Sequence, residues 1–250
     1  MSDFRLHELL VDTLAGMLAG LRHVAVGAAS PIPGAAALLA RARDPGLRVS
    51  ILGSERHNPF TDGGRELFDC AAQGRIDAFF LGGGQIDGSA NINLVGVGGY
   101  PRSGVRWPGS FGSAYLYFLV PRVILFRAEH SRRVLVPQVE FVSAPGTSPA
   151  NVDRPGGPYA LVTDRCVFRF DARQRRFRLA SVHPGHTVDD IARHTGFAYD
   201  APDEVPTTPG PSAATLALIR GRIGVEIAET YPAFAAHVLG VSATDGEQLG

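Results

Sequence analysis

The chain predicts an α/β fold with a mostly parallel sheet, on three observations. Short apolar runs of strand length alternate with segments whose apolar residues recur at helical spacing. Glycine-rich loops follow several of those runs, where strands would end and ligands would bind. At 250 residues with 45% hydrophobic side chains, the chain is long enough to bury a substantial core.

Taken in order, residues 3–20 place Leu6, Leu9, Leu10, Leu14, Met17 and Leu18 at helical spacing, behind Ser2 as a cap. Residues 23–27 form a short apolar strand. Residues 31–43 predict a helix broken before Pro45-Gly46, and residues 49–52 a second strand. A helix over 65–73 ends at Gly74, and a third strand over 76–81 is closed by Gly82-Gly83-Gly84. A strand over 91–97 precedes a Gly/Pro-rich loop over 98–109. A helix over 113–119 and strands over 123–127 and 139–143 come next. The character then changes. Residues 144–158 are rich in Pro, Gly and Ser and predict a surface loop, and 159–163, 167–170 and 177–182 read as a β-meander. Thr187 and Asp190, three apart, resemble a capping box that opens a helix stopping at Gly196. After a Pro-rich stretch over 201–211, residues 212–222 are the last helix. Residues 1–240 are expected to form a single domain and 241–250 a tail.

Charge narrows the chemistry. The 24 basic residues are all arginine and are balanced by 24 acids. Without lysine there is no Schiff-base amine, no lysine-held pyridoxal phosphate and no P-loop lysine. Zero net charge argues against nucleic-acid binding by bulk counterion release. No apolar run approaches the ~18 residues of a membrane span, and Met1-Ser2-Asp3 carries no secretory signal. Cys70 and Cys166 are far apart and match no metal spacing, and neither do His183, His186 and His194. The expectation is free thiols in a cytoplasmic protein with no metal.

Three loops could carry chemistry: Gly53-Ser54-Glu55-Arg56-His57-Asn58, Gly82-Gly83-Gly84-Gln85-Ile86-Asp87, and residues 107–114 at the start of a helix. Consecutive glycines let backbone approach a ligand and expose amides, or simply make a tight turn. The run is not the dinucleotide fingerprint, since position 87 is Asp. Gly109, Gly112, Ser113 and Ala114 bring small residues to a helix start, which suits an oxyanion or an ordinary helix opening. Glu55 could serve as nucleophile or general base, although a loop glutamate alone is ordinarily a solvated charge. Arg132-Arg133 and Arg173, Arg175, Arg176 and Arg178 could form anionic-ligand patches or the exposed face of a turn. Phe111, Tyr115, Tyr117 and Phe118 could be core or a patch for a partner.

The loop residues also carry a resemblance. Phe80-Leu81-Gly82-Gly83-Gly84-Gln85-Ile86-Asp87 with Asn91-Ile92-Asn93 resembles the "GGxQxD…GNxN" segment of β-subunits of class I CoA-transferases of the glutaconate type. In the same order, residues 108–114 resemble the family's "GSGGA" loop and Glu129-His130-Ser131-Arg132-Arg133 its "EHxxR" strand exit. Residues 139–146 resemble "VxxV(S/T)xPG", residues 162–170 "VTD…FxF", and 183–197 "HPGxT…TGF". The resemblance covers roughly residues 5–225 and implies a three-layer α/β/α subunit paired with a homologous α-subunit, with the active site at their interface. It implies a glutamate nucleophile, here Glu55, forming a glutamyl-CoA thioester. It also implies oxyanion and CoA-binding groups at Gly82, Gly83, Gly84, Gln85, Asn91, Asn93, Gly109, Gly112, Ser113 and Ala114. The acyl-CoA is substrate, and no cofactor is held permanently. One departure stands out. The family motif reads "SENG" or "ESG"; Arg56-His57 replaces "NG" after Ser54-Glu55, and an ungapped match to "ESG" puts Leu52 at the glutamate position. Related members act as decarboxylases or as hydrolases opening a ring of a CoA thioester. The sequence therefore supports a transferase first, a hydrolase or decarboxylase second, and a non-catalytic CoA-ester-binding subunit third.

Overall fold

The computed structural model describes residues 4–99 and 101–240; Ser2 and residues 241–250, expected as cap and tail, lie outside the described residues. The chain opens with α1 (Leu6–Gly16), β1 (His23–Val26), α2 (Pro31–Arg43), β2 (Arg48–Ile51), α3 (Gly63–Ala72) and β3 (Ala78–Leu81). Four short strands follow: β4 (Gln85–Ile86), β5 (Ile92–Asn93), β6 (Gly96–Val97) and β7 (Val105–Arg106). Then come α4 (Ser113–Leu119), β8 (Arg122–Phe126), β9 (Pro158–Val162), β10 (Cys166–Asp171), β11 (Arg176–Val182) and α5 (Val188–His194). The described chain closes with α6 (Ala213–Leu218), α7 (Gly224–Ala228) and α8 (Pro232–Phe234), with π-helical turns at Ile219–Ile223 and Ala235–Leu239. Two compact units result, one from residues up to Gly63 with Ile76–Ala78 and those from Pro209 on, the other from Gly64–Arg75 and Phe79–Thr208.

In the first unit, β1 and β2 pair in parallel from His23↔Arg48 to Val26↔Ile51. Both are buried apart from Arg48, as their unbroken apolar runs require of strands covered on two faces. Helix α2 buries Ile32 through Ala40 without interruption, so it is enclosed on all sides. Gly34 sets how closely it is packed: a Cβ there would meet Ile227 Cδ1 at 3.0 Å. Glu8 on α1 is fully buried and paired with Arg220 at 2.6 Å, while its second oxygen accepts the Arg5 amide at 2.8 Å.

In the second unit, the main sheet runs β11-β10-β9-β8-β3. β8 and β9 are parallel, and β9, β10 and β11 are antiparallel, which is the expected meander. Phe168 on β10, Phe177 on β11 and Phe197 pack together, with centroid spacings of 5.9 Å (Phe168–Phe177) and 5.5 Å (Phe177–Phe197). The capping box of α5 is present: Thr187 Oγ1 accepts the Asp190 amide, and Asp190 accepts the Thr187 amide.

Three expectations need correction. The strand expected over 91–97 is broken into β5 and β6, because Asn93 Oδ1 accepts the amides of Val95 and Gly96 and turns the chain. Residues 139–143 form no strand; an isolated bridge, Ile92↔Ala144, falls just past them, with the Ser143 and Ala144 amides both donating to the Ile92 carbonyl. The helix over 212–222 is not the last, since α7 and α8 follow it.

Candidate active site

β2 delivers the chain into a tight turn. The Ser54 amide donates to the Ile51 carbonyl at 3.1 Å, and the Ile51 amide to the His57 carbonyl at 2.9 Å. Gly53 sits at φ +88°, a conformation other residues reach only with strain. Inside this turn Ser54 is buried and Glu55 exposed. The Glu55 carboxylate makes no hydrogen bond or ion pair with another described residue.

Its backbone, in contrast, is firmly held. Glu229, just beyond α7, accepts the Glu55 amide on Oε1 at 2.6 Å and the Ser54 hydroxyl on Oε2 at 2.7 Å. Burial works against ionisation of Glu229, but hydrogen bonds from Thr230, Ser54 and the amides of Glu55 and Arg56 outweigh it and hold the carboxyl below its usual range. Ser54 Oγ in turn accepts the His57 amide at 2.9 Å. Behind the turn, Arg41 donates to Glu226 at 2.7 Å and approaches His57 Nδ1 at 3.3 Å. Burial first, and the Arg41 guanidinium second, push the His57 pKa down. Sequence reasoning assigned nothing to Glu229, which lies 174 positions from Glu55 and has no local signal.

The glycine run after β3 serves close packing. A Cβ on Gly84 would meet the Trp107 ring at 2.3 Å, and one on Gly83 would meet Gln85 O and Ile92 Cγ2 at 2.8 Å. The Gly84 amide donates to Asn93 O at 2.9 Å. The polar side chains of the motif bond to the backbone and to one another. Gln85 Oε1 accepts from Asn93 Nδ2 at 2.9 Å and from the Glu140 amide at 3.1 Å. Asn93 Nδ2 also donates to Gly96 O at 2.8 Å. Asp87 accepts the amides of Ser89 and Asn91, each at 3.0 Å, and Asn91 Oδ1 accepts the Gly146 amide at 3.1 Å. Ala90 takes φ +59° where the resembled motif carries glycine.

The third loop puts Gly109 at φ +103° and Phe111 at φ +44°. Gly112 is confined, since a Cβ would lie 2.0 Å from Phe68. Ser113 is buried with its hydroxyl unpartnered among the described residues, its amide donates to Ser110 O at 2.8 Å, and Ala114 is exposed. Of the four aromatics noted in the sequence, Tyr117 is core, bonding Ala90 O at 2.9 Å. Phe111 is 85% exposed and Tyr115 46%, and both pack on Phe68 at 5.6 Å.

At the carboxyl ends of β8 and β9 lies a buried polar cluster. His130 bonds Thr163 Oγ1 through Nδ1 at 2.8 Å and Thr195 Oγ1 through Nε2 at 2.9 Å. Burial pushes its pKa down to about 3. His183 bonds Thr208 Oγ1 and the Thr163 carbonyl, and burial takes it down to about 4. Beside them Asp164 has a buried Oδ1 with no partner among the described residues, and burial raises its carboxyl pKa. Among the described residues no group of three or more His, Cys, Asp or Glu is arranged to hold a metal, and no helix is long and apolar enough to cross a membrane.

Known proteins resemble this chain in sequence and fold. The family model described as Coenzyme A transferase matches residues 23–194. A subunit of the 3-oxoadipate CoA-transferase of Pseudomonas knackmussii is 32% identical over 153 residues, 59% of this chain and 58% of that one. A subunit of the glutaconate CoA-transferase of Acidaminococcus fermentans is 30% identical over 151 residues, 58% of this chain and 56% of that one. The match thus spans less than two thirds of the length of these relatives. Among solved structures, the decarboxylase AibA/AibB superposes with a TM-score of 0.77 at 27% identity, over 96% of this chain and 100% of that one. With the family model covering well over half of its length, this chain belongs to the coenzyme A transferase family.

Proposed function

We propose that this chain is the β-subunit of a CoA-transferase, with Glu55 as nucleophile and a homologous α-subunit as partner. The observation that carries the reading is the turn after β2, where Glu55 offers a carboxylate unpartnered among the described residues, on a backbone that Glu229 holds by its amide. A carboxylate is a weak nucleophile, so its position must be fixed before reaction. In the proposed cycle Glu55 attacks the thioester carbonyl of an acyl-CoA, giving an acyl-glutamyl anhydride and CoA thiolate. The thiolate attacks the Glu55 carbonyl and releases the acyl group as its carboxylate. The resulting glutamyl-CoA thioester passes CoA to a second acid by the reverse steps. The same reading gives the oxyanion and CoA contacts to the backbone of Gly82, Gly83, Gly109, Gly112 and Ala114, the Gly84 and Ser113 amides being bonded within the chain. Gln85, Asn91 and Asn93 shape those loops through their internal hydrogen bonds. Two free thiols, one of them buried, support a cytoplasmic setting.

The test is the protein reconstituted with its α-subunit and given acyl-CoA without acceptor. Borohydride or hydroxylamine should trap a label on Glu55, and Glu55→Ala should lower transfer by several orders of magnitude. Full transfer activity in that variant would overturn the assignment. A second reading, a decarboxylase or CoA-thioester hydrolase, draws support from the AibA/AibB superposition and from Arg56-His57 in the nucleophile motif. Sustained turnover with no acceptor acid favours this reading over transfer.

A further inference from the structure

Arg154 is a half-buried cation with no counter-charge among the described residues. Its Nε–H donates to Gly156 O at 2.9 Å, Nη1 to Pro145 O at 2.8 Å and Nη2 to Tyr117 O at 2.8 Å. The guanidinium lies 5.1 Å from the Tyr117 ring centroid and 5.8 Å from that of Phe118. All these partners are neutral, and no described carboxylate pairs with Arg154. Arg41, also part-buried, instead faces a carboxylate, that of Glu226. A guanidinium carries five N–H donors, so two remain after the three carbonyls are served.

Arg154 lines a cavity of about 350 Å³, near the lower end of the range for small-molecule sites. Val152, Pro158 and Phe170 give it apolar walls, and Ser148 adds a hydroxyl. Arg175 stands in the turn between β10 and β11, exposed and at φ +54°, where glycine or asparagine would be less strained. The cavity opens at the amino ends of β8 and β9, beside Pro121 and Pro158. His130 and Asp164 leave the opposite, carboxyl ends of the same strands.

We propose that this cavity binds a small organic carboxylate, its two oxygens taken by the free N–H groups of Arg154 and its carbon body by Val152, Pro158 and Phe170. Arg175 closes the rim as a second positive charge. A carboxylate fits better than a phosphate, because only two donors of the inner arginine are free, enough for one bidentate pair of oxygens. The assignment is independent of the Glu55 reading.

Hexanoate, hexanamide and inorganic phosphate, titrated calorimetrically into the full-length chain, provide the test. Hexanoate should bind saturably with a dissociation constant on the order of a millimolar or tighter, and hexanamide at least tenfold more weakly. Arg154 also staples the surrounding loops, so its replacement risks unfolding. Two variants on exposed positions therefore locate the site. Val152→Glu supplies a carboxylate in place and should abolish hexanoate binding, and Arg175→Gln should weaken it severalfold, with thermal unfolding unchanged in both. Equal binding of the amide, tighter binding of phosphate, no saturable binding of hexanoate, or unchanged affinity in both variants overturns the proposal.

Discussion

Single residues set the geometry of the turn after β2. Glu229 divides its two oxygens between the Glu55 amide and the Ser54 hydroxyl, and Ser54 passes the restraint to the His57 amide. Removing that carboxylate leaves a buried hydroxyl and an amide without their acceptor. Glu229→Ala is expected to cost about 1–3 kcal/mol in urea unfolding and, on the proposed transfer cycle, to lower activity through kcat more than KM. Gly84 is similarly decisive, because its missing Cβ is what admits the Trp107 ring. Gly84→Ala should destabilise by roughly 1–3 kcal/mol through overpacking. Trp107 is the sole tryptophan, so a shift in its emission reports the displacement directly. Of these residues Gly84 was legible in the sequence, as part of a motif, although its reason was not. Three consecutive glycines suggest amides offered to a ligand, while in the folded chain the space is filled by Trp107 and Ile92. Glu229 was not legible, because a surface-type acid near a chain end carries no pattern until the helices are folded.

Among elements, one charged contact in the first unit has its acid fully buried. Glu8 on α1 is fully buried, and Arg220 in the π-helical turn after α6 pairs with it through two nitrogens, at 2.6 and 3.0 Å. Burial opposes ionisation of Glu8, but the bonds from Arg220 and the Arg5 amide outweigh it and hold the carboxyl below its ordinary value. Removing Glu8 takes a charged acceptor from Arg220 and from the Arg5 amide, while Arg220 is exposed enough for water to solvate it. Glu8→Ala should therefore cost about 1–3 kcal/mol, measured as a fall in the denaturant midpoint; a midpoint unchanged within error would contradict the pairing. Elements with internal signals were predicted well: the helix over Pro31–Arg43, the helix over Ser113–Leu119 and the Thr187 capping box all stand where periodicity and capping residues put them. Elements defined by long-range pairing were not. β4 exists because Gln85 and Ile86 find Asn93 and Ile92 across a turn, and residues 139–143 fail as a strand because the isolated bridge there falls on Ala144, past their end.

At the scale of the whole molecule, acid stability follows from the buried histidines. His130 and His183 titrate at about 3 and about 4 in the folded protein, both below the ordinary value near 6.5 in the unfolded chain. Above about pH 6.5 neither state binds these protons, and stability is at its full value. As pH falls below that, the unfolded chain takes up protons that the native state refuses. Stability should then drop by about 1.4 kcal/mol per pH unit for each histidine until the folded values are reached. His57, also pushed down, acts in the same direction. Urea unfolding at pH 7.5, 6 and 5 reads this slope. His183→Gln should reduce it, and an identical slope in that variant would exclude His183 as a source.

The sequence by itself determined the α/β class, the order of helices and parallel strands, and the loops that carry the family motif. These follow from local periodicity, capping residues and glycine placement, which act within a few residues of one another. It also determined, by lacking lysine, that no lysine amine chemistry is available. Only the tertiary structure decided what those motif residues touch: Gln85, Asn91 and Asn93 hold loop backbone, Glu229 holds the turn of Glu55, and Arg154, with no counter-charge among the described residues, lines a cavity. The reason is distance along the chain. A hydrogen bond between positions 55 and 229, or a pocket built from residues 121 to 175, has no energy until folding brings its parts together.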